Sequence, residues 1–264
     1  MTATGGYDKW VKLYHPRPAA CVRLVCFPHA GGAASYYAPM SGALRPHIEL
    51  AAIQYPGRQD RGREQRVEDI TALADQAFDA LRRWRDRPLT FFGHSMGAIV
   101  AYEVARRFAE SGTEVPQMLF VSARREPSRR WNHHVHLLDD AGLVAELRRV
   151  AGPDQRWLYH EKLLAAVLPT VRSDYKAIES YSWSPGPPLN CSITGLVGDN
   201  DPYTTADEVA AWEGYCTGEF ELKVVPGGHF YLETCGADIA AIVSSTLRQK
   251  PRPSAQPPEI GPVR

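Results

Sequence analysis

The residues best placed to do covalent chemistry lie in three segments, Gly93-His94-Ser95-Met96-Gly97, Gly198-Asp199-Asn200-Asp201-Pro202 and Gly227-Gly228-His229-Phe230, in that chain order. A serine hydroxyl is a weak nucleophile at neutral pH. It needs a base to take its proton and a third group to orient that base. The first segment fits a tight strand-to-helix turn that exposes such a serine, with small flanking residues relieving the crowding. Ser95 therefore reads as a nucleophile and His229 as its general base. Asp199 and Asp201 compete for the orienting role. Asp201 is preferred, because Asp199, set between Gly198 and Asn200, reads as a turn carboxylate that hydrogen-bonds its own backbone.

A fourth segment, Phe27-Pro28-His29-Ala30-Gly31-Gly32-Ala33, has residues small enough for backbone N–H groups to approach a developing oxyanion. The amides of Ala30 and Met96 are the expected donors. The competing reading is a glycine-rich turn capping a helix that starts near Ala33. His29 and His94 flank the site and read as supports for its loops. His133-His134-Val135-His136 resembles a metal cluster, yet no carboxylate or cysteine set accompanies it at a recognised spacing, so it reads as a solvated segment.

Elements that could position these groups are legible in the apolar pattern. Runs at 22–27, 48–53, 89–92, 118–121, 193–197 and 222–225 read as buried strands. Between them, Ile70, Leu73, Ala77 and Leu81 recur at helical spacing, as do Ile99, Val100, Val104 and Phe108, and later Ile239, Ile242 and Leu247. This alternation predicts a mostly parallel sheet with helices on both faces. The serine, acid and histidine segments each follow directly on an apolar run. They fall where loops leave the carboxyl ends of strands, the usual place for a site in an open α/β sheet.

The rhythm lapses between about 125 and 188, where Leu143, Leu147 and Val150, then Leu163, Leu164 and Val167, show helical spacing without strands. A helical lid insertion over about 126–187 is expected, with Leu143 and Leu164 forming part of a substrate pocket. Arg124, Arg125, Arg129 and Arg130 at its boundary read either as a local basic patch or as ordinary solvated charge. Residues 1–249 are expected to form a single domain, and the Pro-rich stretch 250–264 loses all apolar periodicity and predicts a disordered tail.

A chain of 264 residues with 44% hydrophobic and 23% charged residues has the balance of a soluble globular domain. Lys plus Arg equals Asp plus Glu at 30 each, so no global field favours nucleic acid or an anionic membrane. The first ten residues hold no apolar signal core, and no run approaches the ~18 apolar residues of a membrane span. A cytoplasmic protein is expected. Cys21, Cys26, Cys191, Cys216 and Cys235 are scattered, odd in number and without paired metal-ligand spacing, and read as reduced, buried thiols.

With these residues in place, the chain resembles the type II thioesterases that accompany polyketide synthases and nonribosomal peptide synthetases, stand-alone members of the α/β-hydrolase superfamily. The resemblance spans about 14–247. It rests on Phe27-Pro28-His29-Ala30-Gly31-Gly32, Tyr55-Pro56-Gly57-Arg58, Gly93-His94-Ser95-Met96-Gly97, Asp201-Pro202 and Gly227-Gly228-His229-Phe230, in the same order. It implies an α/β-hydrolase fold with a mostly parallel central sheet, helices on both faces and a helical lid insertion. It also implies hydrolysis of stalled or unwanted acyl groups from the phosphopantetheine arm of acyl or peptidyl carrier proteins, by a Ser95, His229, Asp201 triad that calls for no cofactor or metal. Pro56-Gly57-Arg58 sets this group apart from most lipases and esterases. No physical role for it follows from the sequence.

Overall fold

The computed structural model describes residues 9–113, 116–130, 133–151, 158 and 160–249. Among them, seven strands form one sheet: β1 (Val11–Lys12), β2 (Val22–Phe27), β3 (Ile48–Ile53), β4 (Leu89–His94), β5 (Met118–Ser122), β6 (Ser192–Gly198) and β7 (Phe220–Val225). Their spatial order is β1-β3-β2-β4-β5-β6-β7. All neighbours are parallel except β1, which runs antiparallel to β3. Strands β2 to β5 are buried along their whole length, which is why they read as continuous apolar runs without alternation. Edge strand β7 is partly exposed.

The helices are α1 (Ala38–Ala43), α2 (Ile70–Leu81), α3 (Met96–Glu110), α4 (Asp140–Ala151), α5 (Glu161–Ser180), α6 (Ala206–Ala210) and α7 (Leu232–Gln249). They cover both faces of the sheet, as expected. On one face Leu73 and Ala77 of α2 and Val104 and Phe108 of α3 pack with Phe91 and Val121. On the other, Met40 of α1 and Ile239 and Val243 of α7 pack with Leu24, Phe92 and Phe120. Asp69 caps α2 by accepting from the amide of Ala72 at 2.7 Å.

Several expectations need correction. Strand β4 continues through Gly93 and His94, so the turn is confined to Ser95, and β7 begins at Phe220 instead of Leu222. Strand β1, with only two residues, was not expected. Between β5 and β6 the described residues hold α4 and α5 and no strand. These helices close around their own core of Val135, Leu143, Leu147, Leu164, Leu168 and Val171. Leu143 and Leu164 thus pack into the insertion's own core, and neither lines the pocket at Ser95. Of the five free thiols only Cys26 and Cys191 are buried, while Cys21 is exposed. The tail expected at 250–264 lies outside the described residues.

Candidate active site

Strand β4 passes into α3 through Ser95, whose φ of 53° and ψ of −118° fall outside the regions a side chain ordinarily allows. The Ser95 amide donates to the carbonyl of Ser122 at the end of β5, at 2.8 Å. Packing around the turn explains its glycines. A Cβ at Gly93 would sit 2.3 Å from the carbonyl oxygen of Gly97, and one at Gly97 would sit 2.0 Å from that of Phe27. Backbone cannot yield as a side chain does. Gly97→Ala is therefore expected to destabilise by about 3 kcal/mol or more. Gly236→Ala on α7, where a Cβ meets nothing within 4 Å, is expected to stay within about 1 kcal/mol of the native protein. Thermal unfolding of the two variants side by side checks the contrast.

The structure brings Ser95, His229 and Asp201 together from three loops at the carboxyl edge of the sheet. His229 Nε2 lies 2.9 Å from Ser95 Oγ, and His229 Nδ1 lies 2.9 Å from Asp201 Oδ2 and 3.0 Å from Oδ1. The imidazole is 3% exposed and the Asp201 carboxylate fully buried, so the pair is sheltered from water. Asp201 Oδ1 also accepts from the amides of Tyr203 at 2.8 Å and Thr204 at 3.2 Å, which fixes the carboxylate's orientation. Asp199 does not bond its own backbone, as the sequence suggested. Its carboxylate accepts from the amide of Gly227 at 2.9 Å and so ties the acid loop to the histidine loop.

Ala30 and Met96 line the same pocket as Ser95 and His229. Neither backbone amide donates to another described residue. Met96 opens α3, where helix N–H groups lack intrahelical acceptors and the helix dipole favours negative charge. The rival reading of the Ala30 segment also holds in part, because a short 3₁₀ turn at Ala34–Tyr37 follows it and leads into α1.

His29 and His94 support the base. Burial, with repulsion from His229 and Arg58, lowers His29 to about 3. Burial likewise holds His94 well below its usual range, with His229 and His29 adding repulsion. His94 Nδ1 lies 2.7 Å from Ser122 Oγ, which is bonded in turn to the Tyr231 hydroxyl. The His94 and His229 rings pack with centroids 5.4 Å apart. Because both neighbours stay neutral, they add little opposition to a positive charge forming on His229.

Tyr175 and Ile178 of α5 and Tyr203 of the acid loop wall the pocket, which has about 20 Å³ of free space, the room of roughly one water molecule. Tyr203 packs edge-on against His229, with centroids 5.3 Å apart, and its hydroxyl bonds Glu146 of α4. The four arginines at the insertion boundary do not form one exposed patch. Arg124 is buried in the pocket wall, where desolvation lowers it to about 10. Arg125 bonds the Tyr203 carbonyl, and both Arg125 and Arg129 face Glu208, at 3.6 and 3.4 Å. The histidine run does not converge either: His136 pairs with Glu179 while His133 packs on Tyr203. Arg58 and Asp174 meet in a buried ion pair beside the Ala30 loop. The sequence marks Arg58 by its motif without giving it a role, and nothing local in it marks Asp174.

A strained nucleophile turn at the carboxyl edge of a mostly parallel sheet, with a buried histidine in hydrogen-bond reach, defines a serine hydrolase of the α/β-hydrolase class. A family profile described as "Thioesterase domain" matches residues 22–249. The chain belongs to the thioesterase family and is a thioester hydrolase, similar to type II thioesterases of biosynthetic clusters. It is 44% identical over 239 residues to thioesterase PikA5 of Streptomyces venezuelae, covering 90% of this chain and 85% of that one. To a probable cadicidin biosynthesis thioesterase of Streptomyces griseus it is 46% identical over 231 residues, 88% of this chain but 64% of the relative. Among solved structures, the type II thioesterase BorB of the borrelidin biosynthetic cluster superposes with a TM-score of 0.86 at 45% identity, covering 93% of this chain and all of that one. Among the described residues no helix is long and apolar enough to cross a membrane.

Proposed function

We propose that this chain hydrolyses acyl groups, stalled or unwanted, from the phosphopantetheine arm of acyl or peptidyl carrier proteins, through a covalent intermediate on Ser95. The observation that carries the reading is His229 placed 2.9 Å from both Ser95 Oγ and Asp201 Oδ2, in a chain of this family. With the proton of the imidazole on Nδ1 and donated to Asp201, the Nε2 lone pair is free to take the Ser95 proton as Oγ attacks the thioester carbonyl. The C=O electrons move to oxygen. The amides of Ala30 and Met96 then stabilise that oxyanion. Collapse breaks the C–S bond, His229 returns its proton to the departing thiolate, and an acyl-Ser95 ester remains. Water deprotonated by the same histidine attacks the ester, and the second collapse releases a carboxylic acid and regenerates Ser95. Asp201 holds the imidazole tautomer and stabilises the imidazolium in both halves.

The helical insertion carrying α4 and α5 serves as the lid. Tyr175 and Ile178 of α5 wall the pocket beside Ser95 and Ala30, so movement of this helix would change the access of substrate to the nucleophile. Carrier-protein contacts raise kcat/KM only if they persist into the transition state, by seating the carbonyl between Ser95 and the two amides. The test compares kcat/KM for one acyl group carried on a carrier protein, on coenzyme A and on a short thiol. An advantage of roughly tenfold or more for the carrier protein is expected. Equal values for all three would make the chain a general small-thioester hydrolase and overturn the carrier-protein part of the reading.

A further inference from the structure

Gly31 and Gly32 follow the oxyanion donor Ala30, and two adjacent glycines leave a peptide free to turn unless something holds it. Here it is held at both ends. The Gly31 amide donates to Asp174 Oδ2 of α5 at 2.6 Å, and the Gly32 carbonyl accepts from Arg58 Nε at 2.7 Å. Arg58 closes the loop by donating Nη2 to the same Asp174 oxygen, and it spends Nη1 on the Pro56 carbonyl at 2.9 Å. Its guanidinium also lies over the Tyr55 ring, 4.9 Å from the centroid. Arg58 and Asp174 are 5% and 1% exposed. Gly31, at φ 77°, rests directly on α5, since a Cβ there would sit 2.5 Å from Val171 Cγ2. Burial pushes the Asp174 carboxyl up, and the Arg58 charge and the Gly31 amide pull against it.

Stability alone is a weak reason for such a pair, because well-packed apolar side chains often do as well as a buried ion pair. Direction is a better one. The clamp fixes the Ala30–Gly31 peptide through Asp174 and the Gly32–Ala33 peptide through Arg58, and an oxyanion donor is worth most when it needs no reorganisation as the charge forms.

We propose that Arg58 and Asp174 are positioning residues that hold the Ala30 amide toward the oxyanion, so that seating α5 on the body of the protein and completing the oxyanion hole are one event. This gives the Pro56-Gly57-Arg58 element its role, and it rests on the acyl-Ser95 reading above. The lid helix thereby reports its own docking to the chemistry, through Asp174. Thr170, one turn earlier on α5, ties to the same element separately by donating to the Gly57 carbonyl at 3.2 Å, without touching the Gly31-Gly32 peptide.

The test measures kcat, KM and inhibition by an alkylboronic acid, which forms a tetrahedral adduct with the serine and places an oxygen in the oxyanion hole. Asp174→Asn keeps the shape but leaves the buried Arg58 guanidinium without a counter-charge, a loss that Asp199→Asn, whose partner is a neutral amide, does not incur. Arg58→Lys keeps the charge but cannot reach three acceptors in one plane. Each is expected to lower kcat by about 10²-fold, within the range for losing one oxyanion donor, with KM moving less than about threefold. The boronate inhibition constant should rise in parallel with the loss of kcat/KM. The double variant should lose little more than either single one, because Arg58 and Asp174 share one ion pair and hold the same loop. Thr170→Val should lower the unfolding temperature and leave kcat and boronate affinity unchanged. If Arg58→Lys does not fold, the isosteric Asp174→Asn decides. Wild-type kcat and boronate affinity in folded Asp174→Asn would overturn the clamp while leaving Ser95 chemistry intact, whereas thioester turnover by Ser95→Ala would overturn the reading on which it rests.

Discussion

Ser95→Ala is expected to lower kcat by roughly 10⁶-fold, the scale seen when a serine-protease triad loses its nucleophile, while leaving the fold intact. The residue removed is one hydroxyl on a turn whose conformation is set elsewhere. The Ser95 amide bonds the Ser122 carbonyl, and Gly93 and Gly97 make the close approaches. Alanine keeps all of these. His229→Ala should cost a comparable factor. The double variant should cost scarcely more, because nucleophile and base act as a unit and their losses do not add. Residual turnover in all three would come from the two amides and substrate binding alone. Steady-state thioester hydrolysis, with circular dichroism to confirm folding, checks the set. Retained turnover well above background in folded Ser95→Ala would remove Ser95 from the mechanism.

Asp201→Asn is expected to lower kcat by about 10⁴-fold, as loss of the orienting carboxylate does in a serine protease. The amide can still accept from the Tyr203 and Thr204 backbone, so the loop should keep its shape. What changes is the histidine. An Asn side chain can donate to Nδ1, which favours the tautomer carrying its proton on Nε2, and that nitrogen then cannot accept from Ser95. Asp199→Asn should cost less than about tenfold, because its acceptor oxygen can still receive the Gly227 amide and it does not touch His229. A larger loss at Asp199 than at Asp201 in parallel kinetics would reverse the assignment.

Much of this was legible in the sequence, for identifiable reasons. Strands buried on both faces leave unbroken apolar runs, so β2 to β5 stood out. The triad stood out because its members follow those runs in a chain order the fold dictates. Strand β1 was hidden: two residues are too few to show a period. Leu143 and Leu164 were recognised as helical and buried, but periodicity reports only that a face is covered, not whether a pocket or a neighbouring helix covers it. Asp174 was invisible for a related reason. Its partners Arg58 and Gly31 lie 116 and 143 residues away, and nothing local marks a carboxylate on a helix as buried. The thiols misled because cysteine's tendency to burial is an average, and Cys21, on the bend just before β2, is exposed.

The most direct test of the central claim mixes the protein with a carrier protein bearing a short acyl group on its phosphopantetheine arm, quenches the reaction within the first turnover, and weighs both intact proteins. The account predicts that the carrier loses the acyl mass as this chain gains it, that peptide mapping places the gain on Ser95, and that the gain then decays as free acid appears. Acyl loss from the carrier in folded Ser95→Ala, or loss without any acyl-Ser95 under conditions where deacylation has been slowed, would contradict it.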